Sequence, residues 1–136
     1  MKQLLAICTL TMLAFTACDK EDTETAGTQL VASLEGAWKE VAIGYSIGGP
    51  MIHKPIPAED AQMIGFSNGM FVSNDAMNEF NRYSSDSLTV TLRNSFTGKS
   101  FKYGYIIIND TLTLTPLTVM CVEGCYSKFA RTEQGK

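Results

Sequence analysis

The sequence predicts an all-β domain, an antiparallel up-and-down meander of about eight strands that closes into a small barrel. Three observations lead there. From residue 36 onward, apolar residues recur with a period of two and not 3.6. "LTVTL" (88–92) sets Leu88, Val90 and Leu92 against threonines, and "TLTLT" (111–115) does the same with Leu112 and Leu114. "FKYGYII" (101–107) sets Phe101, Tyr103, Tyr105 and Ile107 against Lys102, Gly104 and Ile106, so each segment reads as a half-buried strand. Turn signals then separate the strands closely: "SNG" (67–69), "SSDS" (84–87), "NSFTGK" (94–99), "ND" (109–110) and "VEG" (122–124). Finally, so little chain between strands leaves no room for the crossovers of a parallel sheet. A meander of this many strands hides its edges most simply by closing on itself.

Ahead of these strands, "MKQLLAICTLTMLAFTAC" divides into Lys2, an apolar run from Leu4 to Phe15, and the small residues Thr16 and Ala17 before Cys18. The run is short of the ~20 apolar residues a spanning helix needs, and it reads as a signal peptide over 1–17. Thr16-Ala17-Cys18 resembles the lipobox of bacterial lipoproteins, with Phe15 where leucine is usual. The resemblance implies acylation of Cys18, with palmitate-type chains on sulfur and on the new amine, and anchorage of the chain in a membrane. The next residues, "DKED" (19–22), are similar to the acidic export signal of Bacteroidetes-type lipoproteins. They imply an outer-membrane location facing the cell exterior. A solvated spacer and inner-membrane retention are the alternatives. Residues 18–29 are polar and read as a flexible tether, leaving 30–136 as one domain.

Within that domain, "LVASLEG" (30–36) is compatible with a short helical turn closed by Gly36, and the first strand follows. "IGGPMIHKPIPAED" (47–60), rich in Gly and Pro, is expected to be the one long loop. "NDAMNEFNRY" (74–83) fits a helical turn or an irregular strand equally well. The net charge of −3 becomes about −4 once Lys2 is removed, and no basic cluster interleaves with aromatics, so nucleic acid is not an expected partner.

Expected export bears on how the cysteines read. Cys8 lies in the signal and Cys18 takes the lipid, leaving Cys121 and Cys125 in "MCVEGCY". In an oxidising compartment this close pair reads as a disulfide across a short hairpin, with Gly124 at a left-handed position and a gain of about 2 kcal/mol. A redox or metal role is the alternative, but no second cysteine pair or nearby histidine supports it. His53 is the only histidine, and the default for it is surface exposure. No nucleophile motif accompanies it, Glu59 and Asp60 point opposite ways in an extended chain, and no phosphate loop is present. Neither enzyme activity nor a cofactor or metal is therefore expected.

"LEGAWKEV" (34–41) and "YSKFARTE" (126–133) carry a resemblance. Gly-x-Trp at the start of a first strand, with an arginine near the end of the last, is similar to the signature of lipocalins and their calycin relatives. That resemblance implies that Gly36, Trp38 and Arg131 close one end of the barrel, Arg131 packing over the indole. The phrasing also looks like lipocalin-like domains of Bacteroidetes lipoproteins over most of 34–131. A second similarity, to META-type domains through "FSNGMFVSND" and "DTLTLTPLTVMC", departs at Ala76-Met77-Asn78.

Two functions follow. A lipocalin-like barrel implies a small apolar or amphipathic ligand, with Phe66, Phe71, Tyr103, Tyr105, Leu112 and Leu114 as lining residues. Alternatively, side chains fill the lumen, and the protein is a structural, accessory or inhibitor-type module with a protein partner that the sequence does not identify.

Overall fold

The period-two segments form strands throughout a computed structural model that describes residues 33–118 and 124–133. These strands are β1 (Gly36–Tyr45), β2 (Ile52–Pro55), β3 (Met63–Ser67), β4 (Met70–Ser73), β5 (Arg82–Ser85), β6 (Thr89–Arg93), β7 (Ser100–Ile108), β8 (Thr111–Pro116) and β9 (Cys125–Arg131). Between the strands lies one 3-10 turn, Ala76–Glu79. Each strand pairs antiparallel with its neighbour from β3 to β9, while β1 joins β3 on one side and β9 on the other. Eight strands thus close an up-and-down barrel, and β2 is added outside the ring.

A β-bulge explains how β1 carries two partners along one edge. Gly36–Lys39 pair with β3, whereas Ala42–Tyr45 pair with β2. The register against β9 shifts between Glu40 and Ala42, where β1 exchanges one partner for the other. A bulge bends the strand and increases its twist, turning the second half of β1 away from β3. Backbone bonds flank it: Glu40 donates to the Gln62 carbonyl (2.8 Å) and Ile56 to the Val41 carbonyl (3.0 Å). Tight turns set other registers. Asn68-Gly69 and Asn109-Asp110 all have positive φ, the backbone that two-residue hairpins require for their twist to match the strands.

Three local expectations need correction, and one open alternative is resolved. The 47–60 stretch is not one loop, because Ile52–Pro55 form β2; its exposed residues satisfy their backbone groups on β1. Ser33–Glu35 form no helical turn, and Gly36 opens β1. Residues 74–83 combine both alternatives, the 3-10 turn followed by the start of β5. Leu88 does not face inward with Val90 and Leu92. It precedes β6 and is 70% exposed, because the Asp86 carboxylate accepts the Leu88 and Thr89 N–H groups and holds this segment as a turn. Further along, pairing of β8 with β9 reaches Leu114 and Ser127. Gly124 has φ +93; Cys121 and the 1–17 and 18–29 segments lie outside the described residues.

One end of the barrel is sealed by a single buried indole. Trp38 is 0% exposed, and its Nε1–H donates to the Leu34 carbonyl at 2.9 Å. Arg131, its register partner on β9, places its guanidinium carbon 4.1 Å from the ring centre. The same guanidinium donates to the Glu35 carbonyl (2.7 Å), the Ser33 carbonyl (2.6 Å) and Asp110 Oδ1 (3.0 Å). Gly36 makes this fit: at φ +126 a side chain is strained, and a Cβ there would lie 2.8 Å from Arg131 Nη1. Glu35 extends the closure. Its carboxylate accepts the Asn68 N–H at 3.1 Å and the Tyr83 hydroxyl. Burial, followed by that bond and the nearby carboxylate charge, pushes the Tyr83 phenol up to about 12.

Two predictions follow from the sealed end. Trp38→Ala should cost about 3–5 kcal/mol, and Arg131→Ala about 2–3 kcal/mol through lost charged hydrogen bonds and ring contact. A double-mutant cycle in urea should show coupling, since the two share one contact; strict additivity would separate them. For Tyr83, an ordinary phenol titrates near 10, so the folded state holds its proton more tightly than the unfolded chain. This contribution is intact below about pH 10 and is lost as pH rises toward 12. The urea midpoint should therefore fall across that window, and less so in Tyr83→Phe.

Candidate functional site

Side-chain size along the inward face decides where the barrel is full and where it is open. On β9 the inward positions run Arg131, Phe129, Ser127, Cys125, from the sealed end to the other. Phe129 is 0% exposed, and its partner Leu112 on β8 is equally buried. Two residues further, Ser127 pairs with Leu114 and with Ile43. A hydroxymethyl group there replaces a benzyl group, and the volume it gives up remains unfilled.

The result is a cup of about 270 Å³ at the end of β1 opposite Trp38. Ile43, Tyr45, Tyr103, Leu114, Pro116, Cys125 and Ser127 form its wall, together with Gly44 and Tyr126, and Met77 reaches in from the 3-10 turn. That turn is fixed in place. Phe80 is buried in the core, the Glu79 carbonyl accepts Asn94 Nδ2 at 2.6 Å, and the Glu79 carboxylate pairs with Lys99 at 2.8 Å. The volume lies just under the roughly 300–1,000 Å³ of ordinary small-molecule sites, which suits a single ring or a short chain.

The cup is apolar with few polar groups. Ser127 brings a hydroxyl, and Tyr103 is 8% exposed, its phenol pushed above the ordinary range by burial. It therefore stays a neutral donor at any physiological pH. Gln62, the only buried polar side chain among the described residues, is not in this lining and donates to Ser73 Oγ at 3.1 Å. Such a wall can hold an apolar body and orient one polar group. Among the described residues no three of His, Cys, Asp and Glu gather to hold a metal ion.

The residues expected to line a ligand separate into groups. Tyr103 and Leu114 line the cup. Phe66, Phe71 and Leu112 belong to the filled core, each 2% exposed or less. Tyr105 packs against that core and donates its hydroxyl to the Asp86 carbonyl at 2.8 Å, away from the cup. Ile43, Met77, Cys125 and Ser127 were not anticipated as lining. The falling size of alternate residues along "CYSKFAR" was the available signal for the β9 pair. His53 is exposed on β2 and hydrogen-bonded through Nδ1 to the Tyr126 hydroxyl. The Tyr126 ring lies over Gly44, where any Cβ would collide with it, and Lys128 Nζ stands 5.3 Å from that ring. These contacts clamp β2 to β9 across β1, a structural use of the only histidine.

Protein-family models, curated proteins and solved structures yield no match to the chain.

If the cup is open space and the sealed half is packed, enlarging a residue should have opposite consequences at the two ends. Ser127→Phe should change stability by less than about 1 kcal/mol, whereas Leu112→Phe should cost about 1–3 kcal/mol by overpacking. Equal losses in urea denaturation would mean the cup is not available volume.

Proposed function

We propose that this chain is a lipid-anchored binding protein, a lipocalin-like barrel that holds a small apolar or amphipathic ligand in the cup. The observation that carries the reading is the cup itself: about 270 Å³, walled by Ile43, Met77, Tyr103 and Leu114, with Ser127 also in its lining. The stack of Arg131 on Trp38 beside Gly36 supports the lipocalin-like assignment. The anchor is the lipid on Cys18, as the lipobox resemblance implies, with display on the outer face of the outer membrane. Ser33 lies at the sealed end, where Arg131 binds its carbonyl, so a tether arriving there leaves the cup pointing away from the membrane. No helix among the described residues is long and apolar enough to cross a membrane. Cys125 does not stand free, and its proposed partner is Cys121. A catalytic role is not proposed.

A second reading has its own support, since Trp38, Phe66, Phe71, Leu112 and Phe129 fill much of the lumen at 0–2% exposure. In that reading the barrel is a structural, accessory or inhibitor-type module.

Native mass spectrometry of the full chain from its own cell separates the two. A retained small molecule that is lost in Ser127→Phe supports the binding protein. A bare chain that also fails to bind fatty acids and single-ring probes in titration overturns it in favour of the filled module. For the anchor, Cys18→Ala should move the protein from the membrane fraction to the soluble one or leave its signal uncleaved. Unchanged partitioning into detergent would remove the lipidation.

A further inference from the structure

The β6–β7 turn exposes a phenylalanine on an unusually well-braced support. Phe96 is 91% exposed, the extreme among the large apolar residues described. Asn94 organises the turn: its Oδ1 accepts the Phe96 and Thr97 N–H groups (2.9 and 3.0 Å), and its Nδ2 donates to the Glu79 carbonyl (2.6 Å). Asn81 pairs reciprocally with Ser95, Nδ2 donating to Oγ (2.8 Å) and Oδ1 accepting the Ser95 N–H (2.9 Å). Such a turn holds its tip still, so the ring is presented at little further entropic cost to a partner.

Behind the tip stand two unpaired cations. Arg82 and Arg93 are direct register partners on β5 and β6. Their neighbours Tyr83 and Leu92 point into the core, so both guanidinium groups are on the outer wall, and both residues are exposed. Like charges directly opposite each other across a strand pair are destabilising. Among the described residues neither has an ion pair or side-chain hydrogen bond, whereas nearby Lys99 is paired with Glu79. Lys102 adds a third cation to the same face, opposite Thr91.

The geometry points to a docking surface, formed by Arg82, Arg93 and Phe96, for an acidic segment of another protein. Two adjacent guanidinium forks match carboxylates in bidentate geometry, and an anionic partner would relieve their mutual repulsion. A rigid aromatic next to arginines is also the composition of an interface hot spot. An anionic membrane fits less well: Phe96 is the one apolar residue in "NSFTGK", so little apolar area would enter a bilayer. The surface shares no residue with the cup and does not depend on the ligand or the lipid anchor.

Panning a phage-displayed library of random short peptides against the immobilised full chain at low salt tests this. Enriched peptides should carry two or more carboxylates beside an aromatic or aliphatic residue. A synthetic copy should bind the full chain and lose at least about tenfold in affinity with Phe96→Ser and with Arg93→Glu. Arg93→Glu sets an opposite charge across from Arg82, so the variant should be no less stable than the parent chain, separating lost docking from lost fold. No consensus, or one that binds both variants as tightly as the parent, overturns the proposal. So does binding to phosphatidylglycerol vesicles that Phe96→Ser abolishes while acidic peptides fail to bind, which assigns the surface to a membrane.

Discussion

Arg131 bears on four residues in two distant stretches of the chain from one position above the Trp38 ring. Its guanidinium covers the indole face, binds the carbonyls of Ser33 and Glu35, and meets Asp110 in the β7–β8 turn. An indole of this size can be buried only if its N–H finds a partner and its exposed face is covered. Leu34 supplies the first and Arg131 the second. The cation is itself mostly withdrawn from water, its side chain 14% exposed. It is tolerated there because its donors reach carbonyls and a carboxylate. The strap from Ser33 to Gly36, the β1–β9 seam and the positive φ of Gly36 are all consequences of making room for that contact.

Sealing one end allows the other to be left open. Beyond the β-bulge the added strand β2 supports β1 from outside the ring, while Ser127 withholds the bulk that Phe129 provides one step below. Along a single strand, therefore, two alternate residues divide the lumen into a packed half and a vacant half. The bracing of Ala76–Glu79 by Asn94 and Lys99 keeps Met77 at the rim without filling the space beneath it.

How much of this was legible in the sequence depended on whether the signal was local. Alternation in 101–107 and 111–115 specifies strands and inward faces without any knowledge of partners, and the Asn-Gly and Asn-Asp pairs specify hairpins. The fold class was readable on that basis. Strand β2 was not, because Ile52–Pro55 lie among prolines and glycines and all face solvent, so no alternation marks them; their conformation is imposed by β1. Leu88 misled for the opposite reason, fitting the alternation while the Asp86 carboxylate turned the chain. Inward parity could nominate Tyr103 and Leu114, but whether an inward position is packed or vacant depends on what stands across the lumen. That is a property of register, and register is set by residues far apart in the chain. The cup was accordingly out of reach.

The contact between Arg131 and Ser33 joins positions 98 residues apart. Among the described residues, closure of the ring thus joins some of the most sequence-distant positions, and contacts of that kind slow folding because a long loop must be ordered first. A ribosome delivers β1 at the start and β9 at the end. Throughout synthesis β1 has β3 on one side and an open backbone edge on the other, as does each newly made last strand. Such edges invite pairing with other chains. The ring therefore loses these two edges together, with its final strand, and only the outer edge of β2 is left. The nascent chain has to be kept from aggregating until Arg131 has emerged.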